Sequence, residues 1–273
     1  MRTARFLLAA ALAALATARP ASAHLGYGGR NFGPLVSGAP AISITNQTFA
    51  GGFGWADATD ADQGDSHRGR FFRFTLTETT TVSITVARNA NPLATGAPDT
   101  FLPAISLYAG LGQLAPEAAG HDSAALSISS RTLGTEGSFR ALADWFIGND
   151  PTYNTPGDPS SGVLYAARLA HFAYLGHVAD GTSANYGDAF AIQGDGLADG
   201  LITGTFYELP AGDYSFFVGG ADYDAQLTET GTLPTYGATV SIQALQAIPE
   251  PASFATLIGL ATLTTIAVRR RKR

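Results

Sequence analysis

The sequence predicts an all-β fold, an antiparallel β-sandwich, on three observations. Short runs alternate apolar and small polar residues. In Thr80–Ala87, Val82, Ile84 and Val86 fall on one face and Thr81, Ser83 and Thr85 on the other. The runs are rich in β-branched and aromatic residues and are separated by glycine- and proline-bearing turns. The body of the chain has no long amphipathic helical pattern.

In chain order, His24–Gly38 is glycine-rich with scattered aromatics and reads as an extended lead-in. Ala41–Phe49 alternates Ile42 and Ile44 with Ser43 and Thr45, a half-buried strand. The segment from Gly54 to Arg70 carries acids without apolar periodicity and reads as a loop. Phe71–Leu76, Thr80–Ala87 and Phe101–Tyr108 are strands, with Pro103 tolerated in the last if it lies on an edge or at a bulge. Ala125–Ile128 is a further short strand. Ser138–Gly148 fits a helix through Phe139, Leu142 and Phe146 and a strand through Phe139, Ala141, Trp145 and Ile147; the bounding Gly137 and Gly148 favour the strand. Asn149–Gly162 is loop. His171–Val178 is a strand with Phe172, Tyr174, Gly176 and Val178 on one side. Leu201–Phe206, Tyr214–Val218 and Thr239–Leu245 follow, with Tyr207–Tyr214 as a turn.

The two ends differ from this body. Arg2 and Arg5 precede the apolar run Phe6–Ala18, and Ala21-Ser22-Ala23 forms an A-x-A site, so residues 1–23 read as a signal peptide removed by signal peptidase, with His24 as the mature start. At the other end Pro249-Glu250-Pro251 is followed by Ala252–Val268 without a charge and then by Arg269, Arg270, Arg271, Lys272 and Arg273. As a helix the uncharged run is ~25 Å long, enough for a short membrane span. The basic cluster would hold its end on the cytoplasmic side. The body is therefore residues 24–248, loop-rich between about 110 and 200.

The C-terminal order of motif, apolar span and basic cluster resembles the PEP-CTERM sorting signal of Gram-negative bacteria. That resemblance implies recognition by a membrane-embedded exosortase, cleavage near Pro249–Pro251, and passage from an inner-membrane-anchored precursor to the cell surface or extracellular matrix. A second resemblance lies in the body: Phe71–Leu76, Thr80–Val86, Ala104–Tyr108 and Leu209–Tyr214 are similar in order to the bacterial pre-peptidase C-terminal domain. It implies a jelly-roll-like sandwich that accompanies secreted proteins and contacts carbohydrate or protein. The stretch between Tyr108 and Leu209 is an insertion that this small domain lacks.

Composition narrows the function classes. Outside the two ends the chain keeps eight arginines, no lysine and 21 acids, a formal charge of −13. Such a body does not suit nucleic acid, which needs a basic stripe. With no cysteine there is no disulfide framework, thiolate metal site or cysteine nucleophile. No Gly-x-Ser-x-Gly elbow and no His-Glu-x-x-His occurs, so no catalytic residue is assigned.

Two acidic loops are candidates for calcium, whose ligands are carboxylate and carbonyl oxygens from flexible loops. One carries Asp57, Asp60, Asp62 and Asp65; the other carries Asp195 and Asp199 between glycines. Solvated acidic loops and Gly/Asp turns account for both without an ion, so no cofactor is expected beyond a structural calcium. His171 and His177, six apart, would share one strand face and could hold a metal; ordinary sheet histidines are the simpler reading. Among the aromatics, Trp55 and Tyr153, in polar surroundings, are the best exposed candidates for stacking on a sugar. The reading is a non-catalytic exported protein of the surface or matrix, with extracellular polysaccharide as its partner. The alternative is a secreted glycoside hydrolase using unassigned Asp or Glu residues. N-terminal sequencing of the mature protein should begin at His24; a chain beginning at Met1 would overturn the signal-peptide assignment.

Overall fold

Thr80–Arg88 forms the strand its alternation predicts, with Val82, Ile84 and Val86 fully buried. It belongs to the smaller of two facing sheets. The structure is a computed structural model and describes residues 27–56, 63–66, 68–89, 100–111, 138–148, 169–187 and 192–246. Its strands are β1 (Asn31–Leu35), β2 (Ile42–Ala50), β3 (Gln63–Asp65), β4 (Arg70–Leu76), β5 (Thr80–Arg88), β6 (Pro103–Ala109), β7 (Ser138–Arg140), β8 (Trp145–Gly148), β9 (Leu169–Ala179), β10 (Leu201–Leu209), β11 (Gly212–Gly220) and β12 (Thr235–Leu245). One short helix, α1 (Tyr223–Thr228), is capped by the Asp222 carboxylate, which accepts the Asp224 N–H. The described part of the body is thus mostly β-strand with almost no helix, as the all-β prediction requires.

The larger sheet runs β1-β4-β11-β6-β9-β8 and the smaller β10-β5-β12-β2. All pairings within them are antiparallel except β1 with β4, which is parallel. Between the sheets lies a core to which both contribute: Phe72, Phe74, Leu107 and Phe216 from one, Val82, Ile84, Phe206 and Val240 from the other. The rings of Phe72 and Phe216 stack at 5.1 Å and those of Phe74 and Tyr214 at 5.0 Å.

The larger sheet is buried on its other face too. Successive strand residues point to opposite faces. Phe71 and Phe217 therefore enter a second core with Trp55, Tyr108, Phe139 and Phe172. A two-stranded sheet of β3 and β7 covers this face. Close approach demands glycine at Gly64 of β3, where a Cβ would lie 2.2 Å from the Phe139 ring. A sheet covered on both faces has near-continuous apolar strands, and β6 is buried at every residue but its last.

Five expectations change. The strand of Pro103, β6, lies inside the larger sheet between β11 and β9, and the proline is tolerated because it is the first residue of the strand. The lead-in contains β1, and Gln63–Asp65 is a strand rather than loop, paired with Ser138–Arg140. Tyr207–Tyr214 is mostly strand, and only Pro210 and Ala211 connect β10 to β11. Ser138–Gly148 is two short strands separated by bends at 141–143. The Ala125–Ile128 strand, the signal peptide and the tail 249–273 lie outside the described residues. Among those residues no helix is long and apolar enough to cross a membrane.

Edges are closed locally. Where β1 has not yet begun, the Arg30 Nε–H caps the Phe71 carbonyl at 3.1 Å. On β2 the register slips opposite Ala238–Val240, beside Asn46 at φ 55°, a bulge that breaks the exposed edge. Phe216→Ala should cost about 3–5 kcal/mol, since a fully buried ring at the sheet centre leaves a cavity. A urea midpoint unchanged from the parent would contradict this core.

Candidate metal centre

The connection from β9 to β10 passes from the larger sheet to the smaller. Backbone hydrogen bonds pin it where it leaves β9. Ala179 N–H donates to Gln193 O at 2.9 Å, Asp195 N–H to Ala179 O at 3.1 Å, and Gly196 N–H to Gly181 O at 3.1 Å. At the far end Arg88 N–H donates to Gly200 O at 2.7 Å. Gly200 has φ +80° and no room for a side chain, because a Cβ would lie 2.2 Å from Arg88 Cδ.

These bonds bring three aspartates together. Carboxylate oxygens of Asp180, Asp195 and Asp199 all lie within 4.8 Å of one another. Asp180 is fully buried, and the other two are exposed. Asp180 Oδ1 accepts the Asp199 N–H at 3.1 Å, and Oδ2 accepts the Gly200 N–H at 2.6 Å. Asp195 uses Oδ1 for two donors, Gly181 N–H at 3.2 Å and Leu197 N–H at 3.0 Å. Asp199 Oδ1 accepts the Leu201 N–H at 3.0 Å. The last two bonds to Asp195 and Asp199 are the Gly/Asp turns that the sequence suggests.

Three carboxylates this close repel one another. Burial pushes the Asp180 carboxyl up to about 6; its two backbone donors pull the other way, and the charges of Asp195 and Asp199 add to the rise. Burial, with the charges of Asp195 and Asp180, also lifts the phenol of Tyr186 well above its ordinary range. Its hydroxyl donates to Ala179 O at 3.2 Å. An all-oxygen, anionic donor set suits a hard cation such as Ca²⁺. Sequence reasoning named Asp195 and Asp199 and missed Asp180. The only local sign of the third aspartate was an Asp-Gly step directly after a strand.

The other candidates fare differently. Asp65 sits on β3 and pairs with Arg68, Nε to Oδ2, at 3.1 Å; Asp57, Asp60 and Asp62 lie outside the described residues. His171 and His177 do not share a face. Leu107 faces Gly176 while Tyr108 faces Tyr174, so Leu175 is an extra residue that reverses the alternation. His171 lies on the exposed side with Asp144, Nε2 to Oδ2, at 3.0 Å. His177 is buried against Trp55, its Nε2 accepting the Gln193 N–H at 2.8 Å and its Nδ1 bonded to the Tyr174 hydroxyl. His177 therefore fastens the start of the aspartate loop.

Trp55 is fully buried rather than exposed, its Nε1–H donating to Ser106 Oγ at 2.8 Å. Tyr153 lies outside the described residues. Among the described residues Tyr207 is an aromatic that does lie exposed, at 75%.

No family model and no curated protein matches the chain. Among solved structures, the chain is similar to CorA, a surface-associated copper-binding protein of Methylomicrobium album BG8. The identity is 14%, the TM-score is 0.45, and the match covers 78% of this chain and 97% of that one. It is also similar to MopE, a secreted protein of Methylococcus capsulatus in which an oxidized tryptophan facilitates copper binding. Here the identity is 19% and the TM-score 0.42, over 79% of this chain and 87% of that one. Likenesses this distant assign neither a family nor a ligand.

The Asp180 shift fixes the sign of a pH effect. The unfolded carboxyl ionises near its ordinary 3.8 and the folded one near 6, so ionisation disfavours the fold and stability falls as pH rises through that window. Without metal, melting temperature should drop between about pH 4 and about pH 6 through this group. Millimolar calcium should restore it at neutral pH, by about 2.7 kcal/mol when calcium is at a hundredfold excess over its dissociation constant. Asp195→Asn with Asp199→Asn keeps the backbone bonds made through Oδ1. This double variant should melt higher than the parent in EDTA and no longer respond to calcium.

Proposed function

We propose that this is a non-catalytic exported protein of the cell surface or extracellular matrix, whose sandwich is an adhesion or carbohydrate-contacting module stiffened by calcium. The observation that carries the calcium part is the convergence of Asp180, Asp195 and Asp199. The ion would cross-link the point where the chain changes sheets, replacing repulsion among three acids by attraction to one cation. Copper is a poorer fit to this donor set, because copper sites draw on imidazole or sulfur ligands. His177, the histidine nearest in sequence to Asp180, already spends both ring nitrogens on Gln193 and Tyr174.

Delivery in this reading runs through the C-terminal tail. Signal peptidase removes residues 1–23, Ala252–Val268 holds the precursor in the inner membrane, and exosortase acts near Pro249–Pro251. The support is the order of motif, uncharged span and basic cluster in the sequence. The glycoside hydrolase alternative would need a proton donor and a partner carboxylate open to substrate. Asp180 has the elevated pKa of a general acid, but it is buried and already accepts two backbone N–H groups.

Mass spectrometry of the protein recovered from its native host should find a C-terminus near Pro249–Pro251 with Ala252–Arg273 missing. An intact Arg273 in membrane-bound protein would overturn the sorting assignment. Release of reducing ends from a polysaccharide panel, abolished by Asp195→Asn with folding intact, would overturn the non-catalytic one.

A further inference from the structure

The outer face of the smaller sheet is chemically unlike the rest of the body. Its four strands comprise 38 residues, of which only Arg88 and Glu208 are charged, both at strand ends. The body around them carries a formal −13. In place of charge the face carries hydroxyls in register. Thr203, Thr85, Ser241 and Ser43 form one row across all four strands. Thr85 and Thr203 hydroxyls lie 2.9 Å apart and those of Ser43 and Ser241 2.7 Å. Thr205 and Ser83 begin the next row, and Tyr207 follows on β10.

Hydroxyls arranged this way repeat at about 4.8 Å between strands and about 6.8 Å along them. Each has one donor and two acceptor sites, so a bond to its neighbour leaves capacity for a partner. A partner that offers both donors and acceptors, and no charge, matches such a face. A polyanion would be repelled by the body, and a charged protein surface would find no counter-charge here. A neutral polysaccharide meets the requirement, and the exposed Tyr207 ring, further along β10 past Thr205, supplies an apolar platform for the face of a sugar ring.

We propose that the β10–β5 side of this face binds a neutral polysaccharide, with Tyr207 stacking on a sugar ring and Thr205, Thr203 and Ser83 bonding its hydroxyls. The inference rests on the carbohydrate-contacting reading above and names where and what kind of glycan.

The test is retention of the full-length chain on microcrystalline cellulose and on dextran, with alginate as the acidic comparison. The parent should be retained by a neutral glycan and pass through alginate. Tyr207→Ala should weaken retention about tenfold, the loss of one stacking contact. Thr205→Arg should abolish it, and both should melt like the parent because the altered side chains point to solvent. If the parent is retained and both variants are retained equally, the glycan sits elsewhere and this face is not the site, while the carbohydrate-contacting reading survives. If neither neutral glycan retains the parent, both readings fall. If instead Thr205→Arg dissolves a dimer seen in sedimentation of a parent that binds no glycan, the face joins two copies of the chain and the proposal is overturned.

Discussion

The whole arrangement depends on β11 lying inside a sheet that is buried on both faces. Phe216 and Phe217 are neighbours in the chain and enter different cores, and on β4 the adjacent Phe71 and Phe72 do the same. These four rings tie the second core to the first. The sandwich core alone would need only one apolar face on the larger sheet. The second core exists because β3, β7 and Trp55 fold over the outer face, with Phe139 packed on Phe217 at a centroid distance of 4.2 Å. In a chain without cysteine, this added burial replaces what disulfides supply in smaller exported domains.

The aspartate cluster is a product of the same layering. β9 belongs to the larger sheet and β10 to the smaller, so the chain between them must bridge the layers. Asp180 sits at the departure and is fully buried, while Asp195 and Asp199 arrive from the far side of the loop. Anchoring His177 between Tyr174 and Gln193 sets the start of that crossing. The bulge at Leu175 is what turns His177 inward, so a local irregularity in β9 decides how the loop is held.

Strands with clean period-two alternation were legible from sequence. Thr80–Ala87 and Thr239–Leu245 lie within the observed strands because one face of each is core and alternation reports this directly, while Phe71–Leu76, which feeds both cores, was legible from its aromatic run. Features set by distant partners were not legible. Gln63–Asp65 has no pattern of its own and is a strand only because Ser138–Arg140 pairs with it. Trp55 lies among polar residues yet is buried, since the layer covering it is partly built from residues more than eighty positions later. His171 and His177 separated because one inserted residue reverses the parity that a strand reading assumes. Of the aspartates, the two close together in sequence were visible as candidates, and the third was concealed by 14 intervening residues and by the sheet crossing.

The position of β12 has a mechanical consequence. It is hydrogen-bonded on one side to β5 and on the other to β2, and its C-terminal end is also tied to the segment after β1 through Gly38 N–H to Ala244 O and Ser37 Oγ–H to Leu245 O. Only residues 246–248 separate this strand from Pro249. Three residues reach at most about 11 Å. A load applied through a membrane-held tail would run along β12 and strain two ladders in shear, so that many hydrogen bonds must yield together instead of one after another. β12 shares with β5 and β11 the property of a ladder on each side, and a pull on its C-terminal end would be met by both of its ladders at once.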